Sequence, residues 1–300
     1  MPRLLVCAGL ALTAAACGDS APATPVTAAS GPARRIVCAN AAAAEFVCRL
    51  VPPERVAGIA EQADDYVSID LKAGGFERVP RFPRYVAEAL LVLAPDLVVT
   101  HEWQSQDTTS ILRSQKVDVL VLKSATSYED IRDTLLDLGQ RFAVLPRAEE
   151  IVLALDIRVE ALRAQASKRA AHTALVYTND GTGGTTAGAH TTPDTILRLV
   201  GLKNAAAEAG LTGHVALDFE RLLTLDPDFL IVSSPARGDV GSATKSVVES
   251  APALAGLRAR KQGRIVVITA TLMAADSPPI VDAAEAVARA VDALLAEPPR

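Results

Sequence analysis

The amino-acid sequence predicts an α/β protein built as two Rossmann-like lobes with parallel sheets, joined by a single long helix. Three observations lead there. Short apolar runs alternate with amphipathic stretches through both halves, as parallel strands covered by helices do. One element occurs in each half: Glu88-Ala-Leu-Leu-Val-Leu-Ala-Pro95-Asp96 before Leu97-Val98-Val99, and Glu220-Arg-Leu-Leu-Thr-Leu-Asp-Pro227-Asp228 before Phe229-Leu230-Ile231. In both copies leucines follow the glutamate at the same spacing, as in a short amphipathic helix stopped by proline and followed by a buried strand. Between the copies, Pro146 to Ala170 runs with no glycine and no further proline.

In the first lobe, Ile36 to Cys38, Val56 to Ala60, Leu97 to Thr100 and Val117 to Leu122 read as strands. Helices are predicted at Ala41–Leu50, Val86–Leu93, Thr108–Gln115 and Tyr128–Phe142. Gly74 through Pro83, rich in glycine, proline and arginine, reads as a long surface loop. Pro146 suits the first turn of a helix, and an uninterrupted helix from there would reach about 36 Å, the diameter of a small domain. It reads as a strut between lobes or as an ordinary surface helix; periodicity alone does not separate the two. The second lobe restarts with a strand at Thr173–Tyr177. A Gly/Thr-rich loop follows from Asn179 to Gly188, then a helix at Asp194–Val200 and the second repeat copy. After a polar loop, Ser233–Ala243, come a strand at Arg264–Ile268 and a terminal helix at Ile280–Leu295. The expected organisation is 1–16 signal peptide, 17–33 tether, 34–145 first lobe, 146–170 linking helix and 171–300 second lobe.

The N-terminal assignment rests on Arg3 ahead of an apolar run from Leu4 to Ala16, too short to span a bilayer permanently. Ending in Ala14-Ala15-Ala16 before Cys17, it resembles a bacterial lipoprotein signal, in which the cysteine takes the lipid; Ala14 stands where such signals usually carry leucine. An ordinary secretory signal is the alternative. The Ala/Pro/Ser/Thr-rich stretch from Gly18 to Ala33 reads as a flexible tether. Cys38 and Cys48 then remain, as a disulfide or as two free thiols. Net charge is −5 and no Lys/Arg run occurs, so nucleic acid is not an expected partner.

With the repeat, the strut and the lipoprotein signal together, the mature chain from Arg34 resembles the class III periplasmic binding proteins, helix-linked receptors for vitamin B12, haem and ferric siderophores that serve ABC importers. Arg35-Ile36-Val37, the two glutamate–Pro–Asp elements and Thr192-Pro-Asp-Thr-Ile-Leu-Arg-Leu-Val-Gly201-Leu-Lys-Asn204 carry the resemblance. It implies that Glu88 and Glu220 meet arginines on a permease dimer, and that a metal-chelate ligand lies between the lobes. Where the family often has Ser-Pro and then Thr-Glu after the first strand, this chain has Ala39-Asn40-Ala-Ala-Ala-Ala-Glu45.

Ligand-binding candidates follow from the rule that α/β folds bind at the carboxyl ends of their strands. His101 and Trp103 follow a predicted strand directly. A Trp face stacks on a flat macrocycle, and an imidazole can ligate iron or cobalt. Against this stand a loop-anchoring Trp and a hydrogen-bonded rim His. Asn40, Tyr66 and Arg81 in the first lobe, with Tyr177, Thr185, His190 and Arg237 in the second, complete the set; the arginines would meet ligand carboxylates bidentately or remain solvated rim charges. For Glu88 and Glu220 the alternative to docking is a carboxylate that offsets a helix dipole. Besides His172 at the lobe junction, the chain has His101, His190 and His214, too dispersed for a dedicated metal site; no resident metal or cofactor is expected. Gly181-Thr-Gly-Gly184 matches no phosphate-binding spacing.

No Gly-x-Ser-x-Gly elbow and no His-Glu-x-x-His occurs, so an importer's exported, membrane-anchored binding lipoprotein is expected rather than an enzyme. The alternatives are a capture or sensing lipoprotein without a permease, and an exported α/β enzyme.

Overall fold

The computed structural model describes residues 32–179, 181, 183–235, 242–273 and 276–296. The first lobe runs β1 (Ile36–Cys38), α1 (Ala41–Leu50), β2 (Val56–Ala60), α2 (Ala63–Tyr66), β3 (Arg81–Phe82), α3 (Ala87–Leu91), β4 (Leu97–His101), α4 (Gln106–Ser114), β5 (Asp118–Leu122) and α5 (Tyr128–Arg141). Its five strands are all parallel, in the order β3-β2-β1-β4-β5. The order reverses between β1 and β4, which opens a crevice beyond their carboxyl ends.

The α6 helix, Leu145–Ala166, has 22 residues and spans about 33 Å. Pro146 lies in its first turn, where the missing N–H costs nothing. One apolar stripe, Val152, Leu155, Val159 and Leu162, is buried. Contacts run to α5 on one side and to the terminal helix α13 (Ile280–Ala296) on the other. Tyr128 donates from its hydroxyl to Asp156 at 2.7 Å, and Arg158 bridges to Asp282 and Glu285 of α13. At its carboxyl end, Ala166 abuts Gly201, whose φ of +73° and the 2.8 Å left for any added Cβ admit glycine alone.

The second lobe continues β6 (His172–Asn179), β7 (Gly184–Ala187), α7 (Thr192–Leu199), β8 (Leu202–Asn204), α8 (Ala205–Glu208), β9 (His214–Ala216), α9 (Phe219–Leu225), β10 (Phe229–Ser234), α10 (Ala243–Ser250), α11 (Arg258–Lys261), β11 (Ile265–Thr269), α12 (Ala270–Met273) and α13. Strands β11, β10, β6 and β8 pair in parallel, whereas β7 and β9 form an antiparallel extension on β6. That extension differs from the sequence expectation of a loop over Asn179–Gly188. Gly184-Thr-Thr-Ala187 lacks the β-branched apolar alternation that marks a strand, and its pairing comes from the neighbours rather than from propensity. The loop expected at Gly74–Pro83 likewise contains a 3₁₀ turn, Phe76–Arg78, and the edge strand β3.

Asn204 explains the Gly-x-x-Asn spacing. It caps α8 through its Oδ1, and its Nδ2 donates to Ala187 O and Asp194 Oδ1, both at 3.0 Å.

Candidate functional site

The cleft forms where loops following the strands of the two lobes meet. Trp103 comes two residues after β4, is 60% exposed, and stacks on the His101 ring at 5.2 Å between centroids and 29° between planes. A 570 Å³ cavity lies against it, within the range of small-molecule sites. Across it stand His190, His214, Met273 and the threonines Thr178, Thr185 and Thr186. His190 is exposed and held at φ +60°, a left-handed conformation unusual for a side-chain-bearing residue. A second cavity of 230 Å³ also borders Trp103, lined by Tyr66, Gln62 and Glu45 of the first lobe and Thr271 and Ser277 of the second.

Asp276 ties the lobes together at this point. Its Oδ2 lies 3.1 Å from His101 Nε2, and its Oδ1 accepts the Ala125 N–H at 2.7 Å. Thr195 of α7 adds a further link by donating to Thr126 O at 2.9 Å. Beside Trp103, the Ser124 N–H holds the Glu102 carboxyl below its ordinary range.

Several candidate residues sit elsewhere than expected. Asn40 is fully buried and lines neither cavity: its Oδ1 accepts the Ala43 N–H at 2.8 Å and caps α1. His101 is 1% exposed and lines neither cavity; it lies behind Trp103 and Asp276 with its Nε2 engaged by Asp276, which leaves no exposed nitrogen to ligate a ligand's metal. Arg81 is committed to Asp64 and to the carbonyls of Phe76 and Val79, which close its own loop. Tyr177 points the other way along β6: with Leu175 it packs into a core beneath the sheet, while Val176 and Thr178 face the cavity. Its hydroxyl accepts from Asn179 at 3.0 Å, and burial pushes its pKa up.

Tyr66, Trp103 and His190 all line a cavity. Arg237 and Cys17 lie outside the described residues. Glu88 and Glu220 are both exposed, each the second residue of its helix. Cys38 and Cys48 are free thiols; burial foremost, then the neighbouring Cys48, pushes the Cys38 thiol well up. Among the described residues no group of three or more His, Cys, Asp or Glu side chains converges as a metal site would require.

Sequence reasoning missed Asp276, Glu45 and His214. Asp276 follows β11 and α12 at the carboxyl edge of its sheet, where the same strand-end rule would have found it. Glu45 and His214 carry no comparable signal: one lies within a helix, the other on a strand with no apolar pattern.

Comparison with known proteins matches residues 62–272 to the family model described as periplasmic binding protein. No curated protein matches the sequence. Among solved structures, the periplasmic heme-binding protein RhuT from Roseiflexus sp. RS-1 is similar, with a TM-score of 0.71 and 23% identity over 86% of this chain and 99% of that one. The periplasmic heme-binding protein HutB of Vibrio cholerae gives 0.72 and 22% over 88% and 99%. An ABC-type Fe3+-hydroxamate transport system protein from Saccharomonospora viridis gives 0.73 and 22% over 87% and 94%. The family match covers more than half of the sequence, and two helix-joined α/β lobes around a cleft accompany it: the chain belongs to the periplasmic binding protein family.

Proposed function

We propose that the protein captures a metal chelate (haem, a corrinoid or a ferric siderophore) between its lobes and delivers it to an ABC permease. The observation that carries this reading is Trp103. Its large aromatic side chain stands 60% exposed at the rim of a 570 Å³ cavity, where a flat or apolar ligand would bury it. His190 and His214 lie across the same cavity, where an imidazole can reach a chelated metal. The similar proteins named for heme and for Fe3+-hydroxamate transport support the ligand class. Glu88 and Glu220, one exposed carboxylate per lobe on equivalent helices, serve as docking contacts for permease arginines. Exposed charges of this kind set register and encounter rate more than affinity. Cys17 carries the lipid that keeps the receptor at the membrane.

Titration of purified protein with haemin, hydroxocobalamin and a ferric trihydroxamate, read by absorbance and tryptophan emission, tests the ligand class. Saturable quenching by one of them is the expected result. A flat response to all three would sink it.

A further inference from the structure

The cleft is two chambers with one wall. Trp103 and Asp276 line both cavities, and no other among the described residues does so. His101 fastens both, stacking on the first and hydrogen-bonding to the second.

The 230 Å³ chamber has a distinct charge character. No lysine or arginine lines it among the described residues. Glu45 contributes no free charge: its Oε2 accepts from Arg49 Nε and Nη2 at 3.1 and 2.8 Å, and its Oε1 takes the Ser68 N–H. Asp276 is different. Each of its oxygens has one donor, and a carboxylate offers roughly four acceptor directions. Gln62, Tyr66, Thr271 and Ser277 are uncharged. An anionic group placed here would meet the Asp276 carboxylate, which among the described residues has no lysine or arginine partner. An ammonium would find an acceptor and, beside it, the Trp103 ring.

We propose that this chamber is a second ligand subsite, taking a cationic, hydrogen-bond-donating side arm of a chelate whose core fills the larger chamber. Asp276 is its acceptor and Trp103 its aromatic wall. The assignment rests on the chelate reading above, and it selects within that class: ligands with an amine arm are favoured over ligands ending in carboxylates.

One linear ferric trihydroxamate in three forms tests it: with its free terminal ammonium, N-acetylated, and N-succinylated. The ammonium form should bind wild-type protein about tenfold tighter than the acetylated one, the scale of one charge-assisted hydrogen bond. The succinylated form should be weakest. Asp276→Asn, close in shape, should bring the ammonium-to-acetyl ratio to within about twofold, a readout that a purely structural role for Asp276 would not move. Equal affinities of the three forms in wild type, or an unchanged ratio in the variant, overturn the subsite while leaving the chelate reading standing. Absence of binding by all three forms, by haemin and by hydroxocobalamin overturns the chelate reading and the subsite with it.

Discussion

Asp228 accepts the Thr173 N–H on its Oδ2 at 2.9 Å, fastening the second copy of the repeat to the strand that opens its lobe. Asp96 does the same in the first lobe, accepting the Arg34 and Arg35 N–H groups at 2.7 and 3.0 Å. The two aspartates occupy the same rung of their sheets, one residue before the pairs Phe229–Ala174 and Leu97–Ile36. The repeated Pro-Asp therefore has a structural cause, separate from the exposed glutamate that precedes it.

The acid side of the stability curve should reveal this. Burial works to raise the Asp228 carboxyl, but Thr173 and Arg258 outweigh it and hold the group below its ordinary value. A depressed folded-state value contributes stability that is fully present above the unfolded value, about 3.9, and lost as pH falls through the folded one. Asp228→Asn should lower stability by about 1 kcal/mol at pH 7 and flatten the decline below pH 4. Urea midpoints at pH 7 and pH 3 measure both; parallel curves for variant and wild type would refute the assignment.

Removing Asp276 should cost stability as well as ligand selection. Asp276→Ala leaves His101 buried with neither ring nitrogen bonded, because Nδ1 already lacks a partner. The expected loss is about 1–3 kcal/mol, read from denaturant midpoints. A variant as stable as wild type would show that the His101–Asp276 bond contributes nothing net.

Trp103 is the only tryptophan, so its emission reports on the cleft without ambiguity. Trp103→Ala should weaken a stacked macrocycle by about 0.5–1.5 kcal/mol beyond the lost contact area. Unchanged emission at saturating ligand would place the ligand away from this wall.

Docking and ligand binding should separate. Glu88→Ala and Glu220→Ala should each impair uptake without changing ligand affinity, and the double variant should do worse, since two contacts on one body act as linked sites. Helix-dipole relief alone predicts normal uptake with a small stability loss. Uptake assays beside ligand titrations decide, and wild-type transport by the double variant would eliminate the docking role.

The lobes should move little on ligand binding. Besides α6, they are joined by Asp276 to His101 and Ala125, and by Thr195 to Thr126. A stiff helix and fixed bonds on one side of the cleft resist wide hinge closure. A large contraction between scattering curves of free and liganded protein would contradict this.

The parts of this structure legible in the sequence are those with a strong period or a strong stop. The strands Ile36–Cys38 and Val56–Ala60 and the helix Ala41–Leu50 are buried apolar runs with clear ends, and their bounds match the expectation. The Pro-Asp stops placed β4 and β10. Residue parity was not legible. On β6, Tyr177 and Thr178 face opposite sides, and the sequence offers a tyrosine as the more attractive cleft residue although the threonine faces the cavity. His101 misled for a similar reason: its chemistry suits a metal, but its partner Asp276 comes from a loop 175 residues away, a contact that local pattern does not encode.

The antiparallel ribbon of β7 and β9 forms part of the large chamber's wall, yet of its residues only Ala187 joins a packed core. The chamber's wall is thus partly uncoupled from the packed core. Thr185 and His214, on the ribbon, can be exchanged to retarget the receptor with little risk to the scaffold, provided Gly184 and Gly188 stay: any side chain there would strike the Leu217 or Leu211 carbonyl at 2.2 Å. A library confined to those two positions would explore new cargo while the remainder of the molecule continued to fold as before.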